Sequence, residues 1–322
     1  MKILVIGGAG FLGANLVRHC LSEPDVQITV MDSLDPHLHA TTENLREVWK
    51  RIRFVRGDIR DEALLAEIVQ NQDIIFNCAA QTSHPLSIQY PLLDVDINCQ
   101  GNLKLLEAVR LLNKDAVVVY TSSSTVIGKA LSEVVDEDHW ERPLEIYSAN
   151  KGVAEKYYRI YHTIHDLNTI VLRFANLYGP YGKGYPEFGF INYFIHLVSN
   201  DQEIKIFGSG NQKRNVMFVD DATEIIWRAA QEPRLSGEIF FATSDEHLTV
   251  GEIAETIVNV FQRGKVTHVE WPEERRRTEI EDVKFSAKKL HSITGWQARY
   301  DFIAGLRRTK TIIEREKNKE RP

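Results

Sequence analysis

The first 120 residues alternate short β-branched runs with longer amphipathic stretches. Apolar runs at 2–6, 27–31, 53–56, 74–77 and 116–120 have the length and Val/Ile content of buried strands. Between them, 11–22, 61–70 and 94–112 repeat apolar residues at the three- and four-residue spacing of a helix face. Such alternation predicts a parallel sheet covered on both faces, with ligands at the carboxyl ends of the strands. A further helix is predicted over 147–166 and a strand over 169–174. After Asn176 the pattern breaks. Gly179, Pro180, Gly182, Gly184 and Pro186 lie close together and mark passage into a second lobe. Beyond them 203–207 reads as a strand, 220–230 and 250–261 as helices, and the charged tail 307–322 as a solvated, frayed helix. The predicted class is α/β. A Rossmann-like doubly wound parallel sheet covers 1–175 and is rejoined by 216–245; a smaller mixed α/β substrate-binding lobe takes 176–215 and 246–322.

Composition narrows the partners. With 43% hydrophobic and 26% charged residues the 322-residue chain is an ordinary globular one. Its net charge of -6 gives no basic field for a nucleic-acid backbone. An anionic ligand must then be met by local amides and a few placed arginines. No apolar run reaches the roughly 18 residues of a membrane span, and the N-terminus lacks the pattern of a signal peptide. Cys20, Cys78 and Cys99 have neither zinc nor disulfide spacing, and the histidines are scattered, so no metal site is expected. Reduced thiols and no export signal place the protein in the cytoplasm.

Residues 3–6 lead into Gly7-Gly8-Ala9-Gly10-Phe11-Leu12-Gly13 and then a helix. Glycines here permit a tight turn and close approach of a pyrophosphate, which the helix N-terminal amides meet. Asp32 ends the next strand, 19 residues past Gly13, where a carboxylate accepts from ribose hydroxyls. It repels a 2′-phosphate and Ser33 offers no positive charge, which favours NAD over NADP. Asp58 reads equally well as an N-cap of the following helix or as an adenine contact.

Tyr147 and Lys151 stand four residues apart, one turn along one helix face. Bringing a tyrosine from pKa near 10 to about 7 takes about 4 kcal/mol of phenolate stabilisation, and a neighbouring ammonium acts in that direction. The phenolate can then serve as a base toward a hydroxyl. The strand at 116–120 ends in Thr121-Ser122-Ser123-Ser124-Thr125, hydroxyls placed where a donor to a reacting oxygen belongs.

Together the glycine turn, Asp58, Asn77-Cys78-Ala79-Ala80, the serine strand and Tyr147/Lys151 resemble an extended short-chain dehydrogenase/reductase. Within it, Arg173-Phe174-Ala175-Asn176-Leu177-Tyr178-Gly179-Pro180, the 208–214 segment with Asp220 and Asp221, and Gly295-Trp296 are similar to the NAD-dependent sugar-nucleotide epimerase/dehydratase family. The resemblance covers nearly the whole chain. It implies Ser123, Tyr147 and Lys151 as the catalytic set. Around NAD it places Gly7, Gly10, Phe11, Leu12, Gly13, Asp32, Ser33, Asp58, Ile59, Ala79, Ala80, Gln81 and Asn98, with Tyr147 and Lys151. Around a nucleoside-diphosphate sugar it places Thr82, Ser83, His84, Ser123, Ser124, Asn176, Arg214, Arg275 and Arg277. The 275–277 run also reads as a solvated loop, and His84 as a surface histidine. A homodimer, built through the helices at 94–112 and 147–166, is implied as well; those apolar faces read equally as monomer core.

Dehydratases of the family carry Thr-Asp-Glu where this chain has Ser123, Ser124 and Thr125, so the acids that eliminate water are missing there. The resemblance is to UDP-sugar 4-epimerases, which act through a transient 4-keto sugar. The alternatives are a sugar-nucleotide 4-reductase or dehydrogenase, a 4,6-dehydratase-like enzyme, and, in another class, a non-catalytic NAD-binding regulatory protein.

Overall fold

The computed structural model describes residues 1–272 and 282–319. Arg275 and Arg277 lie outside the described residues. Five strands open the chain: β1 (Lys2–Ile6), β2 (Gln27–Asp32), β3 (Ile52–Arg56), β4 (Ile74–Asn77) and β5 (Val117–Ser123). They join Asn168–Phe174 and Ile239–Ala242 in one seven-stranded sheet, all neighbours parallel, ordered β3, β2, β1, β4, β5, then the two later strands. The order reverses between β1 and β4, which opens a crevice at the carboxyl ends of those strands. Both faces of β1 are covered: Ile3 and Val5 pack with Leu16, Val17 and Ile226, whereas Leu4 and Ile6 pack with Leu105, Val109 and Tyr158. That double burial is why the strand is an unbroken apolar run.

The helices expected in the first half are present with small shifts of boundary. The stretch expected as one helix over 94–112 starts earlier and holds Pro91–Val95, a π-helical turn at Asp96–Gln100, and Gly101–Leu112. Single π turns tend to re-aim side chains at functional sites. Ile146–His165 carries Tyr147 in its first turn. Asp58 does not cap the next helix: Asp61 does, accepting from the Leu64 amide at 3.0 Å.

The second lobe corrects the sequence reading in three places. A helix at Phe190–Ser199 buries Ile191, Phe194, Ile195 and Val198, although the glycines and prolines just before it suggested only irregular chain. It packs with Val250–Phe261 over a three-stranded sheet of Asn176–Tyr178, Lys213–Phe218 and His247–Thr249. The charged tail is a helix with most of 307–319 exposed, as expected, but it is anchored rather than frayed. Phe302–Lys319 buries Phe302, Leu306 and Thr309, and Arg315 and Lys319 pair with Glu47 on the far side of the chain. Nor does everything after 246 belong to the small lobe, because Leu290 and Trp296 enter the core of the large sheet. Among the described residues no helix is long and apolar enough to cross a membrane.

Beneath the serine strand lies a buried ionic cluster. Arg173, on the strand beside β5, donates to Glu155 at 2.6 Å and to Glu141 at 2.7 Å, and Ser122 donates its hydroxyl to Glu155 at 2.5 Å. Arg173 and Glu155 are buried, so neither charge has water to fall back on. Glu155→Ala should therefore destabilise the fold by about 3–5 kcal/mol, since it takes away the buried partner of the guanidinium and leaves it only the partly exposed Glu141. The exposed pair Lys265–Glu203 should matter far less, with Lys265→Ala costing under about 1 kcal/mol. Urea unfolding midpoints of the two variants check both expectations.

Candidate active site

At the switch point, one cleft of about 1250 Å³ runs between the two lobes. This exceeds the roughly 300–1,000 Å³ that encloses a single small ligand. Its floor is the β1 turn. Gly7 has φ +75°, and a Cβ there would stand 2.6 Å from the Ala79 nitrogen. A Cβ on Gly13 would stand 2.3 Å from the Gly7 carbonyl oxygen. Gly10 takes the N-cap of the Phe11–Cys20 helix without a side-chain cap, leaving the first amides to whatever enters the cleft. Phe11 and Leu12 line the same wall.

Asp32 is fixed by the backbone on both oxygens, accepting from Ala9 and Leu34 amides at 2.9 Å each. Burial pushes its carboxyl up, against the pull of those two bonds. Ser33, Asp58, Ile59, Ala79 and Ala80 continue this wall. Asp58 is held by Arg60 at 2.6 Å, which lowers its pKa. A cradle that any Cβ would fill, open helix amides and a backbone-held carboxylate one strand away fit a dinucleotide.

Across the cleft, β5 delivers Ser123 and the long helix delivers Tyr147 and Lys151. Ser123 acts on the buried Tyr147 phenol and favours its phenolate, and the Ser123 hydroxyl lies 2.8 Å from that of Thr125. Lys151 donates to the Thr121 carbonyl at 2.7 Å and sits 4.2 Å above the Tyr120 ring. Burial raises the Tyr147 pKa, and the same burial brings Lys151 down to about 8. Without added positive charge the phenol therefore keeps its proton. The three side chains line one cleft although they come from different elements, because β5 and the helix are packed side by side.

Three residues expected at the ligands lie behind the wall instead. Asn98 bonds both backbone groups of Gln81, at 3.1 and 2.9 Å, and donates to Asp94 at 3.0 Å. Asp94, wholly buried, also accepts from Gln81 and from Asn150 at 2.8 Å each. Ser83 is buried too and caps the short His84–Gln89 helix. Gln81, Ser83 and Asn98 thus do not line the cleft; they tie the loop before that helix to the helix of Tyr147. Burial of polar side chains in so tight a network requires partners inside the protein.

Thr82, His84, Ser124, Asn176 and Arg214 do line the cleft. Asn176 bonds the Asn215 carbonyl at 2.8 Å, which fixes it at the lobe boundary. The sequence reading missed other lining residues. Glu145, two positions before Tyr147, accepts from Ser148 at 3.1 Å and bonds His84. Lys183, inside the glycine-rich break, reaches the Leu38 carbonyl, and burial brings its pKa down to about 8 while Asp32 opposes the fall. Phe207 and Trp271 form an aromatic pair, centroids 5.7 Å apart, at the second lobe's end. None of these four had a local spacing to mark it; each is placed by tertiary packing.

The comparisons with known proteins agree with this arrangement. Residues 3–242 match the model of the NAD dependent epimerase/dehydratase family. The chain is 30% identical to a putative UDP-glucose 4-epimerase of Methanocaldococcus jannaschii, over 99% of each chain. Its structure is similar to UDP-glucose 4-epimerase of Thermotoga maritima (TM-score 0.86, 25% identity, 98% and 99% of the two chains covered). It is equally similar to the dTDP-glucose 4,6-dehydratase DesIV of Streptomyces venezuelae, solved with NAD (TM-score 0.88, 27% identity, 100% and 99% covered). On its fold, its cleft and these matches, the chain belongs to the NAD dependent epimerase/dehydratase family and is an NAD-using enzyme of sugar nucleotides.

Proposed function

We infer that the enzyme inverts C4 of a nucleoside-diphosphate sugar through a transient 4-keto intermediate. The observation that carries this reading is Ser123, Tyr147 and Lys151 lining one cleft, while the positions after Ser123 hold Ser124 and Thr125 rather than acids. Gly7, Gly10, Gly13 and Asp32 are the residues that would hold NAD. When bound, NAD supplies the acceptor and donor of hydride and a positive charge near Tyr147. Tyr147 takes the proton of the C4 hydroxyl and later returns it to the ketone oxygen. Ser123 holds that oxygen in both steps, and the Lys151 ammonium favours the phenolate. Asn176 and Arg214 are placed to grip the nucleotide diphosphate, so the sugar can turn while the nucleotide stays. Water elimination is the competing reading in the family. Of the carboxylates near Tyr147, Asp94 is held by Gln81, Asn98 and Asn150, and Glu145 is held by His84 and Ser148. Exposed Leu111, Leu112, Val153, Ile160 and Ile164 on the two helices further support pairing of two copies.

The NAD-loaded enzyme should convert a UDP-hexose to its C4 epimer, of equal mass, without lasting change in nicotinamide absorbance. A product lighter by one water, or sustained absorbance change, contradicts the reading. Tyr147→Phe should lower kcat by about 10²–10⁴ with UDP binding retained. Because burial depresses Lys151, its ammonium is present below about pH 8 and lost above it. The ratio kcat/KM should therefore fall as pH rises through about 8, and Lys151→Arg should move that limb upward; a pH-rate profile of both enzymes measures this.

A further inference from the structure

Glu145 occupies the N-cap position of the Tyr147 helix, yet its side chain makes no capping hydrogen bond. Its carboxylate turns instead to His84, bonding Nδ1, and accepts from Ser148. The Glu145 side chain is 9% exposed and that of His84 42%, so the acid is the buried support and the imidazole the exposed face. Both line the cleft, and the His84 ring centroid lies 4.8 Å from that of Tyr147. Ser83 fixes the start of the helix that presents His84, accepting from Leu86 at 3.2 Å. A carboxylate on Nδ1 decides which nitrogen faces outward. It leaves Nε2 without a hydrogen-bond partner among the described residues, beside the tyrosine that the reaction uses.

We propose that Glu145 and His84 act as one positioning dyad that selects a neutral hexose over a uronic acid at the sugar end of the cleft. The inference rests on the sugar-nucleotide reading of the Tyr147 site. With the imidazole neutral, Nδ1–H bonds Glu145 and the Nε2 lone pair accepts from a sugar hydroxyl. With the imidazole protonated, Nε2–H donates to a hydroxyl oxygen. A hydroxyl meets either state. With the imidazole neutral and Glu145 ionised the pair carries a single negative charge, so a sugar carboxylate finds no countercharge there. Neither can an ionised carboxylate donate a proton to the Nε2 lone pair. The cation nearest the reaction, Lys151, is turned to the Thr121 carbonyl and the Tyr120 ring. Lys183 lies toward Asp32 and Leu38, at the other end. Thr82, Ser123 and Ser124 supply only hydroxyls.

The test uses NAD-loaded enzyme with UDP-glucose and UDP-glucuronate, which share a nucleotide and so cancel any preference for the base. Wild type should show kcat/KM at least about tenfold higher for UDP-glucose, the size of one hydrogen bond to a charge-backed partner. His84→Ala and Glu145→Gln should each raise the KM for UDP-glucose by about tenfold. The double variant should be no worse than either single one, because the two residues act as a unit. The Kd for UDP should be unmoved, a readout that a merely structural role would disturb. Equal use of UDP-glucuronate by wild type overturns the proposal, as do additive losses or an unaltered KM in folded variants. Transient reduction of bound NAD reports the preference for the sugar separately from formation of an epimer. A missing epimer with the preference intact thus faults the C4 reading alone.

Discussion

Gly13 lies so close to Gly7 that a methyl group on it would stand 2.3 Å from the Gly7 carbonyl oxygen, and a methyl on Gly7 would meet the Ala79 backbone. The contact joins β1, the first helix and the loop after β4 at one point. It brings the open amides of that helix to the crevice between β1 and β4, where the strand order reverses. The rest of the cleft is arranged about this floor. Asp32 takes its place through the Ala9 amide of the same turn, so this acid and the glycine turn are one unit. Side chains would break the unit by volume alone, whatever their chemistry.

A second constraint couples the cofactor floor to the catalytic wall. Asp94 is buried with bonds to Gln81, Asn98 and Asn150, and these reach the loop after β4, the π turn and the Tyr147 helix. On the other side of β5, Arg173 and Glu155 hold Ser122. The serine strand and the tyrosine helix are thus braced by separate polar networks, each closed on itself. Such networks raise the cost of small displacements, because any shift leaves a buried group unpaired. Ser123 and Tyr147 come from these two elements, so their separation is set by this bracing.

Electrostatics follow the same division. The chain is acidic overall, so any positive potential in the cleft is local, from open amides and the few cations that line it, rather than a general field. Near Tyr147 the balance is different. Burial raises the phenol and lowers Lys151, so both side chains are biased toward their neutral forms.

The sequence alone determined the parallel sheet, the glycine turn, Asp32 and the Ser123, Tyr147 and Lys151 set, because each is written in local periodicity or short spacing. It went wrong where packing decides. The charged segment 307–319 is largely exposed as read, but Phe302 and Leu306 just before it find a core contributed by distant segments and anchor it. Phe190–Ser199 was hidden behind helix-breaking residues that end before it begins. Asn98 and Gln81 carry the polar side chains expected of ligand contacts, but their hydrogen bonds are spent on Asp94 and on each other. Only the tertiary structure brought Glu145 to His84 across 61 residues, and Lys183 of the second lobe to the loop beyond Asp32. Pairing over such distances leaves no trace in spacing, since it depends on how whole elements pack and not on which residues are neighbours in the chain.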